Sequence, residues 1–266
     1  MVTGGHIGFW QGGSVWMGSG QGRSDWHAHH AHQVAVSLDG TCLFRSQVED
    51  DWSAFAGAII ASHRKHQFEF KGTIAHLFVE PETPPGRALA RYIADAGISP
   101  LPEAQCSQMA AMLLAAERLG QTETGEELVA VGRAALAVLT GAVSAGVPLD
   151  KRVVKAIEYV ALRVRAPVSL GDAASAAALS PGRFRHLFVQ ETGTPFRAYL
   201  LWLRLNVTIK AAMAGTSWTV AAHEAGFADS AHFTRTFKRM FGINPADLAA
   251  ARFVPQRSTC NTGRQA

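Results

Sequence analysis

The sequence predicts an α+β chain in two parts. An amino-terminal small β-barrel or sandwich is continued by a helical region, and an all-α domain follows, made of two helix-turn-helix units joined by a long helix. Three observations carry this reading. Residues 1–86 hold short stretches that alternate apolar and polar residues between Gly, Pro and Asp, the period of half-buried strands. After residues 81–86 (Pro-Glu-Thr-Pro-Pro-Gly) the composition turns to helix formers with apolar residues three and four apart. Over residues 169–188 and again over 217–237 the same pattern occurs: a short Ala-rich helix, a turn, and a helix carrying Phe residues four apart with Arg or His between them.

A chain of 266 residues can bury two cores, and 48% apolar with 17% charged residues describes an ordered protein. The net charge of +4 is unevenly spread. Residues 1–150 carry 9 Lys/Arg against 15 Asp/Glu, and residues 151–266 carry 16 against 6. A basic half beside an acidic one implies a polyanionic partner for the former and another task for the latter. Cys42, Cys106 and Cys260 are far apart and form neither a disulfide framework nor a zinc motif, which fits a reducing compartment. The start has no positive n-region followed by an apolar run, and the uncharged, Ala- and Gly-rich stretch 134–149 is too short to span a bilayer. The expectation is a cytoplasmic protein with no membrane partner.

Within the first 86 residues, 33–38 and 73–79 alternate as strands do, and Asp39-Gly40 before Thr41–Arg45 reads as a hairpin turn. The unusual stretch is Trp26-His-Ala-His-His-Ala-His-Gln33. In a strand His27, His29 and Gln33 share one face, and His30 and His32 the other. Residues 87–148 read as helices over 103–119 and 126–140, the latter with acidic residues at its start, where the helix dipole favours them. Leu128, Val131, Leu136 and Leu139 give it a broad apolar surface, to be buried under the strands or against a second copy of the chain. Residues 143–150 read as a linker, and 151–164 as an amphipathic helix with Val154, Ile157, Val160, Ala161 and Val164 on one side.

The DNA-binding domain is expected over 149–250. Ser169 caps a helix to Ala177. Ser180 and Pro181 open the next, whose stripe of Phe184, Leu187 and Phe188 leaves Gly182, Arg183, Arg185 and His186 outward. A long helix, 196–214, follows as a rigid spacer. Ser217 caps the second unit, Gly226 supplies its turn, and Asp229 or Ser230 caps a helix with Phe233, Phe237 and Met240 inward. Ala231, His232, Arg235, Lys238 and Arg239 face outward. Residues 251–266 read as a disordered tail.

The run from Gly226 to Pro245, Gly-Phe-x-Asp-Ser-x-x-Phe-x-Arg-x-Phe-Lys-Arg-x-Phe-Gly-x-x-Pro, resembles the signature of the AraC/XylS family of transcription regulators, and the likeness extends over about 151–250. That resemblance implies two recognition helices entering neighbouring major-groove segments of double-stranded DNA. It places Ala231, His232 and Arg235 at base-reading positions of the second unit, and Gly182, Arg185 and His186 at those of the first. Arg offers a two-pronged contact to guanine, whereas Arg183, Lys238 and Arg239 suit phosphates. Gly182 has no side chain to offer, so the first unit is expected to be the weaker reader and the one that depends on effector or second protomer. The family further implies a small-molecule effector, activation more often than repression, RNA polymerase as a partner and a possible homodimer.

Gly22, His27-Ala-His29, Gln33 and Gly40 resemble the first motif of the cupin barrels, and Ser62-His-Arg-Lys-His66 lies about where the second would contribute a His. The metal-binding cupins hold a divalent cation on three imidazoles and a carboxylate; here Gln33 stands in the carboxylate's place, and His63, His66 and His76 are each open as the third imidazole. The reading adopted is a polar effector pocket of His27, His29, Gln33 and His66, with no resident cofactor. The alternative is a divalent metal at His27, His29 and His66, in a cupin-type enzyme or a metal-responsive regulator. No catalytic Ser/His/Asp set, phosphate loop or nucleotide motif is present, so the chain is not expected to be an enzyme.

Overall fold

The computed structural model describes residues 2–94, 97–120, 125–141 and 148–248. The expected tail at 251–266 and most of the linker at 143–150 lie outside them. Seven strands come first: β1 (Val2–Trp10), β2 (Gly13–Arg23), β3 (His32–Arg45), β4 (Ser53–Ala54), β5 (Gly57–Ile60), β6 (Gln67–Val79) and β7 (Ile98–Pro100). All pairings are antiparallel and the order is β1-β2-β6-β3-β5-β7, with β4 on β3. The ends of that path do not pair with each other among the described residues, so the expected barrel is an open sheet. Its last strand lies beyond residue 86, after helix α1 (Pro84–Leu89) and a short 3-10 turn.

Asp39-Gly40 is not a hairpin tip. The chain runs on through it, and Gly40 lies opposite Gly72 of β6. Both glycines have positive φ, +89° and +112°, and a Cβ on either would meet the facing carbonyl oxygen at 2.0–2.1 Å. The backbones of β3 and β6 approach closely here in a conformation that glycine at both positions permits.

Alternation along the strands sends residues to two different cores. Val15, Leu77, Val34 and Ile59 align across β2, β6, β3 and β5 and pack against α2 (Glu103–Arg118) and α3 (Gly125–Thr140). Leu128, Leu136 and Leu139 of α3 are buried in this layer, so the broad apolar face foreseen on that helix is covered within the chain. The other face presents Ile7, Phe9 and Phe78, and these join the core of the second helix-turn-helix unit.

The all-α domain follows the sequence reading closely: α4 (Lys151–Arg163), α5 (Leu170–Ala176), α6 (Pro181–Thr192), α7 (Phe196–Met213), α8 (Trp218–Glu224), α9 (Ser230–Phe241) and α10 (Pro245–Leu248). Ser169 forms a reciprocal capping box with Asp172. One correction concerns α4. Val160 and Val164 are buried as expected, but Val153 and Ala156 complete the stripe, while Val154, Ile157 and Ala161 turn to a cavity described below. A second concerns α7, which is more than a spacer. Tyr199 and Leu200 serve the first unit's core, and Trp202, Leu205 and Ile209 serve the second's.

Candidate nucleic-acid interface and the histidine cluster beneath it

The helices foreseen as recognition helices are α6 and α9. Ser180 Oγ accepts from Arg183 N at the start of α6, and Asp229 Oδ1 accepts from His232 N at 2.6 Å at the start of α9. Phe184 and Phe188 anchor the first, and Phe233, Phe237 and Met240 the second. Gly182, Arg183, Arg185 and His186 are exposed on α6; Ala231, Arg235, Lys238 and Arg239 are exposed on α9. His232 is half-buried, its ring edge-on to Phe227. Apart from His232, the residues expected to face bases or phosphate are exposed on the outer side of their helices.

Sequence reasoning missed the residue that holds the two units in register. Arg204, on α7, donates from Nε to Val164 O (3.2 Å), from Nη2 to Ala166 O (3.1 Å) and from Nη1 to Gly226 O (2.7 Å). The first two carbonyls end α4 of the first unit, and the third lies in the turn of the second. Gly226, with φ +87°, leaves room for the guanidinium, which a Cβ would meet at 2.9 Å. A charged residue flanked by Leu203 and Leu205 in the middle of the helix was the available signal.

The second unit is docked on the sheet domain, although dependence on the amino-terminal half was expected at the first. Asp25 N donates to Gly242 O at 2.7 Å, Ala28 N donates to Arg239 O at 3.2 Å, and Lys238 Nζ lies 2.9 Å from Asp25 Oδ2. Phe241 packs on Trp16 and Phe78, and Trp202 Nε1 donates to Glu80 Oε1 at 2.9 Å. Gly242, in the left-handed region, allows this approach, since a Cβ there would sit 2.4 Å from Asp25 O and 2.6 Å from His27 Nδ1. Lys238, expected on phosphate, is thus held by a carboxylate. Both side chains are about half-exposed or more, so this is a weak, solvent-screened pair that can be exchanged for DNA.

Directly under this contact lie the histidines. His27, His29, His66 and His76 are all buried. His27 and His66 are opposed in an isolated antiparallel bridge, so segment 24–30 passes over the end of β6 before β3 begins at His32. Nδ1–H of His27 donates to Asp25 O at 2.9 Å, that of His29 to Ala31 O at 2.8 Å, and that of His66 to Arg64 O at 2.9 Å. Gln33 Oε1 lies 2.8 Å from His29 Nε2 and 3.3 Å from His66 Nε2, and Gln33 Nε2 donates to His76 Nδ1 at 2.9 Å. Of the three candidates for a third imidazole, His66 joins His27 and His29, and one nitrogen from each ring lies within 4.8 Å of the others. His76 is reached through Gln33, and His63 sits apart beside His30. Burial pushes the pKa of His27 and His76 down to about 3 and holds those of His29 and His66 below the ordinary imidazole value, disfavouring the charged form of each ring. A cavity of about 430 Å³ opens beside His27, His29 and His30, walled also by Trp26, Lys65 and Met240.

The roomier space is elsewhere. A cavity of about 590 Å³ opens between the sheet domain and helices α4 and α7, walled by Phe9, Trp10, Val154, Ile157, Leu203 and Val207. Its polar end carries Glu80, Glu82 and Lys210. Burial, and then the neighbouring Glu82, push the Glu80 carboxyl up to about 7.

Fold and site together define a helix-turn-helix protein whose second reading unit rests on an antiparallel sheet. Residues 173–251 match the family described as a helix-turn-helix domain. Over 83 residues the chain is 35% identical to the transcriptional activator RhrA of Rhizobium meliloti, covering 30% of this chain and 26% of that protein. Over 106 residues it is 28% identical to the arabinose operon regulatory protein of Escherichia coli, covering 39% and 36%. The chain thus spans only about a quarter to a third of the length of the curated relatives it matches. The carboxy-terminal residues are thus similar to the helix-turn-helix domains of transcription regulators. The two-domain arrangement is shared with ToxT of Vibrio cholerae, at a TM-score of 0.53 and 12% identity over 88% of this chain and 95% of that one, a likeness of fold. Among the described residues no helix is long and apolar enough to cross a membrane.

Proposed function

We propose that the protein is a sequence-specific DNA-binding transcription regulator whose amino-terminal half conveys a signal to the reading heads. The observation that carries this is the pair of capped helices, α6 and α9, each with an apolar face buried and a basic face exposed, held in fixed register by Arg204. Such a face supplies phosphate contacts for affinity and Arg for base discrimination. Selection on random DNA duplexes should enrich one motif with two adjacent elements; recovery of no motif by the folded protein would sink the proposal. Within it, Arg235→Ala should relax preference at one base pair, at about 1–3 kcal/mol of discrimination. Lys238→Ala should weaken all sequences alike and reduce the salt slope by about one. Equal effects from the two variants would defeat the division between base and phosphate contacts.

For an organic effector the interdomain cavity is the natural place, because its walls come from both domains. Structures of the Vibrio cholerae neighbour include one with an unsaturated fatty acid bound. In the present cavity two carboxylates face one lysine, a balance that opposes a second anion when Glu80 is ionised. The relatives are named as regulators, and the enzyme alternative gains no support from them. We further infer a cytoplasmic protein that acts with RNA polymerase. The apolar face of α3 is covered within the chain, so a homodimer would have to use another surface.

A further inference from the structure

We propose that the cavity between the sheet domain and helices α4 and α7 takes an organic amine in its protonated form, with the Glu82 carboxylate receiving the ammonium group. The proposal rests on the reading of that cavity as an effector site, and deepens it by naming the class of ligand.

The balance of charge comes first. Glu80, Glu82 and Glu158 line the cavity, and among the described residues Lys210 is the one basic side chain there. Glu158 is exposed on α4, but Glu82 is only 5% exposed. Its two oxygens are served unequally. Oε2 lies 2.9 Å from His30 Nε2. The Tyr199 hydroxyl stands beside the same carboxylate, yet among the described residues no hydrogen bond reaches the buried Oε1. A buried carboxylate oxygen without a donor is unfavourable, and an ammonium N–H both satisfies it and offsets its charge. The same cation relieves the repulsion from Glu82 that, after burial, pushes Glu80 up to about 7.

The walls select the rest of the molecule. Val154, Ile157 and Leu203 are aliphatic, and Phe9, Trp10 and Tyr199 are aromatic. Lys210 Nζ lies 5.1 Å from the centre of the Phe9 ring, so this wall already accommodates one ammonium against an aromatic face. A space of about 590 Å³ with such walls suits a hydrocarbon body, which a bare inorganic ion lacks. An organic anion of the same size meets three carboxylates against one lysine, so the site discriminates by repulsion as well as by attraction. Position gives the ligand its effect. Glu80 and Glu82 belong to the loop between β6 and α1, Val154 and Ile157 to α4 of the first unit, and Leu203 and Lys210 to α7. An amine filling the cavity ties the first unit to the sheet domain, on which the second unit already rests.

The test uses the full chain at pH 8, without DNA, and two sets of probes that share a body and differ in charge. These are hexylamine, hexanol and hexanoate, and phenethylamine, phenethyl alcohol and phenylpropionate. Calorimetry should show an amine bound once per chain, at least about tenfold tighter than its alcohol, with its carboxylate weaker still. Amide hydrogen exchange should slow over residues 80–84 and 154–161 when the amine is added. Glu82→Gln should weaken the amine about tenfold and leave the alcohol unchanged. Because loss of a buried carboxylate can also disturb the fold, Lys210→Gln serves as the second probe. It removes the opposing charge and should tighten amine binding several-fold, a gain that a damaged fold does not give. Binding of the alcohol or the carboxylate as tightly as the amine would overturn the proposal. So would amine affinity unmoved by both variants, or failure of either amine to slow exchange in those two segments at about 10 mM. Failure to find a DNA motif would instead count against the proposed function, and would leave these measurements standing.

Discussion

At the scale of single residues, the buried carboxylate Glu80 makes a prediction whose sign follows from its environment. An ordinary glutamate loses its proton near 4.5, and burial beside Glu82 delays that to about 7 in the folded protein. Between those values the folded chain holds a proton that the unfolded chain has released, so stability falls as pH rises from about 4.5 to 7 and stays lowered above. Glu80→Gln keeps an oxygen to accept from Trp202 Nε1 and removes the charge. The variant should melt higher than its parent at pH 8, by about 1–3 kcal/mol, and at nearly the same temperature at pH 5. Melting curves of both proteins at the two pH values check this, and an equal gain at both would mean that the charge is not the cause. Residues whose role is local were legible in the sequence: Ser169, Ser180, Ser217 and Asp229 cap their helices because a side-chain oxygen there meets a free N–H three residues on. Asp25 was not legible as the partner of Lys238, because 213 positions of chain separate them and only the docking of the domains brings them together.

At the scale of elements, the position of one recognition helix relative to the other depends on Arg204. Its planar fork reaches three carbonyls from two units, and a lysine carries only a single point of donation on a flexible stem. Arg204→Lys should therefore leave each unit folded and loosen their register. The expected loss is in affinity for the full two-element DNA site, about tenfold, with little loss for either element alone; equal losses for the full and half sites would refute the clamp. Periodicity located these helices well because their buried stripes repeat within a single element. On α4 it found Val160 and Val164 but took Val154 for Val153, because the two are equally apolar and only the cavity beside the sheet separates their fates. In the same way, Asp39-Gly40 looks like a turn until the partner strand supplies Gly72 opposite it.

At the scale of the molecule, the division into an acidic, strand-rich half and a basic, helical half, clear in composition and charge, does not coincide with the division of the core. Ile7, Phe9 and Phe78 belong to the sheet by sequence and to the second helix-turn-helix unit by packing, whereas the first unit keeps a core of its own around Phe184, Phe188 and Tyr199. A signal received by the sheet domain can reach α9 through packed side chains without passing through the first unit. Phe241, at the centre of the shared core against Trp16, Phe78 and Phe237, is the residue to remove. Phe241→Ala should cost about 3–5 kcal/mol, and it should raise hydrogen exchange in β1, β2 and α9 together. Phe188→Ala should cost a similar amount but raise exchange only within about residues 151–200, because its neighbours Phe184, Phe196 and Tyr199 all lie in that unit. If Phe241→Ala loosened α9 and left β1 and β2 as protected as before, the sheet and the second unit would be separate folding units in contact, and the route from sheet to recognition helix would have to run through the polar contacts of Asp25 and Ala28 alone.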